Sequence, residues 1–152
     1  MGKESAYIHK SHNVSVVMYH FVCPAKYRQV VFSEEVDYSL KEICEEIEKR
    51  YDVRFLEIGT DKDHVHFLVQ SVPRLSATQI IRLVKSITAK QIFLRHPEVK
   101  KKLWGGEFWS DGYYVSTVGK HGNESVIGNY VREQGRAEEY KKLQSKQLLL
   151  FD

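Results

Sequence analysis

Two hydrophobic periodicities alternate along this chain, and their order leaves few folds open. "NVSVVMYHFV", at 13–22, is dense in β-branched and aromatic residues and reads as a strand that stops before Pro24. In "SEEVDYSLKEICEEIEKRY" the residues Val36, Leu40, Ile43, Ile47 and Tyr51 recur at helical spacing, with Ser33 as N-cap and Glu34 and Glu35 in the first turn. "VRFLEIG" and "HVHFLVQS" are extended runs joined by the turn-forming "TDKD", a hairpin pattern. A second helix opens with Ser76 and Gln79 in capping-box spacing and carries Ile80, Val84, Ile87 and Gln91 on one stripe; Pro97 ends it or starts a short successor. "EFWSDGYYVSTVG" is a last extended region turning at Ser110, Asp111 and Gly112. "NESVIGNYVREQGRAEEYKKLQSK" then reads as a helix capped by Asn123, despite Gly128 and Gly135. The order β-α-β-β-α-β specifies an α+β, ferredoxin-like antiparallel sheet with two helices on one face, plus a C-terminal helix.

With no repeat or linker to divide it, residues 1–152 read as one domain, large enough to bury a core unaided. Cys23 and Cys44 are far apart and outside any metal-binding spacing, which argues against a disulfide framework and for a reducing compartment. The first fifteen residues lack an apolar core, and no apolar run approaches membrane-spanning length, so the expectation is a cytoplasmic protein with no membrane partner. The net charge of +3 is modest, but its distribution is uneven. The segment 34–48 is acidic, whereas Arg82, Lys85, Lys90, Arg95 and Lys100 to Lys102 crowd 82–102. One face can therefore meet a polyanion, although solvated helix faces produce the same pattern.

His64 and His66 stand one residue apart in the second hairpin strand and project from the same face, opposite Val65, Phe67 and Val69. Two such imidazoles can converge on a metal ion, or can be polar residues on a solvated sheet face. The histidine-triad hydrolase pattern needs a third histidine where Leu68 stands. In the final helix Tyr130 and Gln134 lie four apart and share a face with Ile127 and Val131. Tyr130 can be a core aromatic there. Gln134 is harder to place in a core, because a buried amide needs partners. Its carboxamide oxygen can be a hard ligand beside two imidazoles, with Tyr130 as a nucleophile one turn away.

His64-Val65-His66 followed by Tyr130 and Gln134 resembles the HUH single-tyrosine transposases of bacterial insertion sequences, the TnpA-like, IS-two-hundred type. The likeness runs through "VSVVMYHFVCPAKYRQVVF", "DHVHFLVQSVP", "IIRLVKSITAKQI" and "LWGGEFWSDGYYVSTVG" to "YVREQ". It departs from the pattern at Cys23-Pro24, where a less constrained strand end is expected. The resemblance implies a metal-dependent transposase that cleaves and rejoins single-stranded DNA and recognises hairpins at the element ends. It implies a divalent ion, Mg2+ or Mn2+, on His64, His66 and Gln134, with Tyr130 as the catalytic nucleophile forming a 5′-phosphotyrosine. It also implies a homodimer in which the Tyr130 helix can complete the partner's site, with Gly119 and Gly122 in "VGKHGNES" as a hinge or as an ordinary loop.

For phosphate contacts the sequence offers Lys85 and Arg82 on the second helix and Lys26 and Arg28 after the first strand. Trp109 and Tyr113 can stack on unpaired bases, although core packing is the commoner use of such rings. Three other readings remain. One is a domesticated hairpin-nicking relative. Another is a non-catalytic single-strand nucleic-acid-binding module, whose usual aromatic signature is absent here. The last is a water-using metal hydrolase in which Tyr130 is structural.

Overall fold

The computed structural model describes residues 8–10, 13–104 and 106–119. A short ribbon of β1 (Ile8–His9) and β2 (Val14–Ser15) comes first; the sequence reading did not contain β1 and ran β2 into the strand expected over 13–22. The main sheet is antiparallel and holds β3 (Val17–Pro24), β4 (Arg54–Thr60), β5 (His64–Ser71) and β6 (Tyr114–Val118) in the order β4-β5-β3-β6. Helix α1 (Glu34–Arg50) links β3 to β4 across β5, and α2 (Ala77–Arg95) links β5 to β6 across β3. These two interleaved crossovers are the ferredoxin-like layout that the order of periodicities requires. Pro97 opens a short α3 (Pro97–Lys102).

Both long helices start where their caps dictate. The Ser33 hydroxyl accepts from the Val36 N–H, and Ser76 and Gln79 exchange both bonds of a capping box. In α1 the buried side chains include Val36, Leu40, Ile43 and Ile47, the stripe read from the sequence. In α2 the buried set is Ile80, Ile81, Val84, Thr88 and Ile92, turned away from the expected Ile87 and Gln91. Thr88 explains the rotation: its hydroxyl donates to the Val84 carbonyl at 2.7 Å and accepts from Trp109 Nε1 at 2.9 Å. A polar group with its bonds satisfied is as acceptable in the core as an apolar one.

Alternation along β3 and β5 divides the sheet into two faces. Phe21, Cys23, Val65, Phe67 and Val69 meet both helices in the main core. Met18, His20, Val22, His64, His66, Leu68 and Gln70 alternate with them and so take the other face. There Met18, Leu68 and Val118 form a small second cluster. Strand β3 runs two residues past the expected end at Val22. A proline at the last strand position costs the ladder little, and the Pro24 carbonyl accepts from the Ser110 N–H.

Candidate functional site

The site is built on the face of β5 turned away from the helices. His64 lies opposite Pro24, and His66 lies between Val22 of β3 and Gly59 of β4. Both are buried, 2 % and 1 % exposed, so they are not polar residues on a solvated face. Their ring centres are 5.3 Å apart, a separation that two ligands of one ion can adopt.

Each imidazole is backed through Nδ1. His64 Nδ1–H donates to Asp63 Oδ1 at 2.7 Å, and Arg28 Nε donates to Asp63 Oδ2 at 3.1 Å. His66 Nδ1 shares a hydrogen bond of 3.0 Å with Nε2 of His20, which lies diagonally across on β3. The two rings stack with centroids 5.2 Å apart and planes 13° from parallel. Donation from Nδ1 places the lone pair of His64 on Nε2, and the His66 tautomer that donates to His20 does the same, the arrangement found behind metal-bound histidines.

Electrostatics favours the same state. Burial, reinforced by the repulsion that charged forms of His66 and its neighbours His20 and His64 would exert on one another, holds His66 well below the ordinary histidine range. Burial alone brings His20 down to about 4, so both rings are neutral at physiological pH. Burial would raise Asp63, but its hydrogen bonds from His64 and Arg28 outweigh that and keep the carboxyl below its usual range. The result is a neutral His66 beside a His64 oriented by Asp63, and such a pair of imidazoles fits a divalent transition ion. Among the described residues no group of three or more His, Cys, Asp or Glu completes such a site. The expected third ligand, Gln134, and the nucleophile Tyr130 lie outside the described residues, as does Gly122 of the expected hinge.

Of the expected phosphate contacts, Lys26 and Lys85 both reach the turn at Ser110 and Asp111. Arg28 is engaged behind His64 through Asp63. Lys26 pairs with Glu107 at 2.7 Å and lies near Asp111. Lys85 donates to the Ser110 carbonyl at 2.7 Å and lies 5.8 Å from the centre of the Tyr113 ring. Arg82 is exposed on α2, in the helix layer on the far side of the sheet from the histidines. Trp109 is a core residue, and Tyr113 packs edge-on against Phe21.

Comparison with known proteins decides the family. The family model described as "Transposase IS200 like" matches residues 13–134. The chain belongs to the IS200-like transposase family. The ISDra2 transposase TnpA of Deinococcus radiodurans is 30% identical over 116 residues, covering 76% of this chain and 82% of that protein. The transposase for insertion sequence element IS200 of Salmonella typhimurium is 31% identical over 134 residues, covering 88% and 85%. A crystal structure from Deinococcus radiodurans R1, of a protein described as a transposase, matches with a TM-score of 0.67 and 28% identity over 84% of this chain and 97% of that one. A REP-associated tyrosine transposase bound to a REP hairpin shares the fold at a TM-score of 0.54 and 7% identity, covering 82% and 69%.

In this IS200-like transposase the histidine pair was legible in the sequence, but its supports were not. Asp63 carries a signal, standing directly before His64. His20 carries none until the β3–β5 register places it beside His66. Among the described residues no helix is long and apolar enough to cross a membrane.

Proposed function

We propose that this transposase cuts and rejoins single-stranded DNA at the ends of an insertion sequence through a 5′-phosphotyrosine on Tyr130, and that it recognises terminal hairpins. The observation that carries the reading is the buried pair His64 and His66, each held through Nδ1, in a chain of this family. With Gln134 they would hold a divalent ion, and imidazole donors suit Mn2+ better than Mg2+. Such an ion, when bound, supplies Lewis-acid stabilisation of charge on the phosphate.

The remaining work falls to the chain. Tyr130 Oη attacks phosphorus, a new P–O bond to tyrosine forms, and the bond to the 3′ oxygen breaks. The tyrosine loses its proton, and the departing strand leaves as a 3′-hydroxyl. One phosphodiester replaces another, so rejoining is the reverse reaction and needs no ATP. One tyrosine holds one DNA end, so joining two ends takes two active sites, and a homodimer follows, with the Tyr130 helix acting in its own subunit or its partner's. The REP-associated neighbour, which shares the fold, was solved with a hairpin, and that is consistent with hairpin recognition here.

The test incubates the protein with labelled single strands from the flanks of its own gene, with and without Mn2+, on denaturing gels that retain adducts. A metal-dependent adduct absent from Tyr130→Phe is expected, with hairpin binding retained. Cleavage without an adduct would instead establish a water-using hydrolase.

A further inference from the structure

The turn after β3 holds a feature that the proposed chemistry does not use. Tyr27 (φ 57°, ψ 20°) and Arg28 (φ 53°) are consecutive non-glycine residues in left-handed conformation. Each such residue costs roughly 1–2 kcal/mol, so the surrounding structure must hold the turn in place. It does so at both ends: Ala25 N–H donates to the Asp63 carbonyl, Lys26 N–H to the Phe108 carbonyl, and Arg28 N–H to the Ala25 carbonyl.

The strain holds a large ring in water. Tyr27 is 59 % exposed, and it stacks with Trp104, which is 79 % exposed, at a centroid distance of 6.2 Å and an interplanar angle of 28°. Both tryptophans of the chain are described, and the other, Trp109, is buried. One cation borders the pair: Lys26 Nζ, which also pairs with Glu107, lies 5.4 Å from the Tyr27 ring centre, and the run Lys100 to Lys102 precedes Trp104 in the chain. The turn is also tied to the histidine site: Arg28 bonds Asp63 behind His64, and Tyr27 follows Pro24, the partner of His64, by three residues. Three extended residues span at most about 11 Å.

We propose that Tyr27 and Trp104 form a stacking platform for an unpaired base of single-stranded DNA, placing the strand beside the His64–His66 site. The inference rests on the single-strand reading above. Two exposed rings within 28° of parallel, with Lys26 alongside, match a base and its phosphate, since stacking is indifferent to base identity and a cation follows the backbone.

The test uses the full chain and a fluorescent dT oligonucleotide without metal, so that binding is read apart from cleavage. Trp104→Ala and Tyr27→Ala are each expected to weaken binding roughly 5- to 100-fold, and Trp104→Phe to restore most of it. The oligonucleotide should also protect Trp104 from iodide quenching, with circular dichroism confirming that the variants are folded. Parent and Trp104→Ala binding dT equally, or the oligonucleotide leaving Trp104 open to iodide, would overturn the platform and leave the single-strand reading intact. A parent that binds neither dT nor its own flanking single strands would overturn both. If Trp104→Ala abolishes self-association and leaves DNA affinity unchanged, the rings belong to an interface between copies of this chain, and the platform is refuted.

Discussion

Replacing Asp63 by Asn tests whether the histidine pair is a prepared metal site or only a buried polar pair. The substitution keeps the side-chain volume and removes the charge. Asp63 now accepts from His64 Nδ1 at 2.7 Å through one oxygen and from Arg28 Nε at 3.1 Å through the other. An amide has one acceptor oxygen, so one of these bonds is lost. Hydrogen bonds to charged groups contribute about 1.5–3 kcal/mol, and if His64 loses its partner the ring is freed to rotate or change tautomer. Removing such outer partners typically costs about 10- to 100-fold in metal affinity. The assay is calorimetric titration of parent and Asp63→Asn with Mn2+, alongside thermal unfolding of the apo proteins. Binding weakened within that range in a folded variant is the expected result. Mn2+ affinity unchanged in Asp63→Asn would refute the reasoning, because the Asp63 bond would then play no part in presenting His64.

Other consequences can be checked on the same protein. Phe67 is fully buried between the sheet and the helices, so Phe67→Ala should lower unfolding free energy by about 3–5 kcal/mol in urea titration. Cys23 and Cys44 are buried, and burial pushes the Cys23 thiol up to about 12 and Cys44 higher still. Neither should react with a thiol reagent at neutral pH in the folded state, and both should react once the protein is unfolded. Hydrogen bonds from Lys10 and then Arg74 hold Asp52 below the ordinary carboxylate range. Its contribution to stability is complete above the unfolded value near ~3.9 and is lost as pH falls through the lower folded value. Asp52→Asn should therefore cost no more than about 1 kcal/mol at pH 7, as suits a surface pair, and the difference from the parent should vanish in strong acid.

The sequence was most informative where local pattern decides structure. Ser33 and Ser76 announced their helices because capping is a matter of neighbouring residues. The β4–β5 hairpin followed from a turn sequence between two apolar runs, and alternation put His64 and His66 on one face. Legibility failed where distant segments meet. A two-residue strand such as β1 has no period to detect. The buried face of α2 depends on Thr88 meeting Trp109, twenty-one positions away. His20 becomes a partner of His66 only through strand register, with 46 positions between them. Tyr27 and Arg28 adopt left-handed conformations that glycine or asparagine would have signalled, and neither residue gives a hint of it. The phosphate-contact expectations rested on charge alone, and charge does not reveal that Arg28 and Lys26 are engaged with Asp63 and Glu107.

The most direct test of the proposed chemistry is mass spectrometry of the trapped covalent complex. The protein is incubated with its own element-end single strand and Mn2+, digested with nuclease and trypsin, and the modified peptide is sequenced. The account predicts a nucleotide joined through its 5′ phosphate to Tyr130, and no adduct when Mn2+ is withheld. Cleaved DNA with Tyr130 unmodified, or a nucleotide carried on another residue, would contradict it.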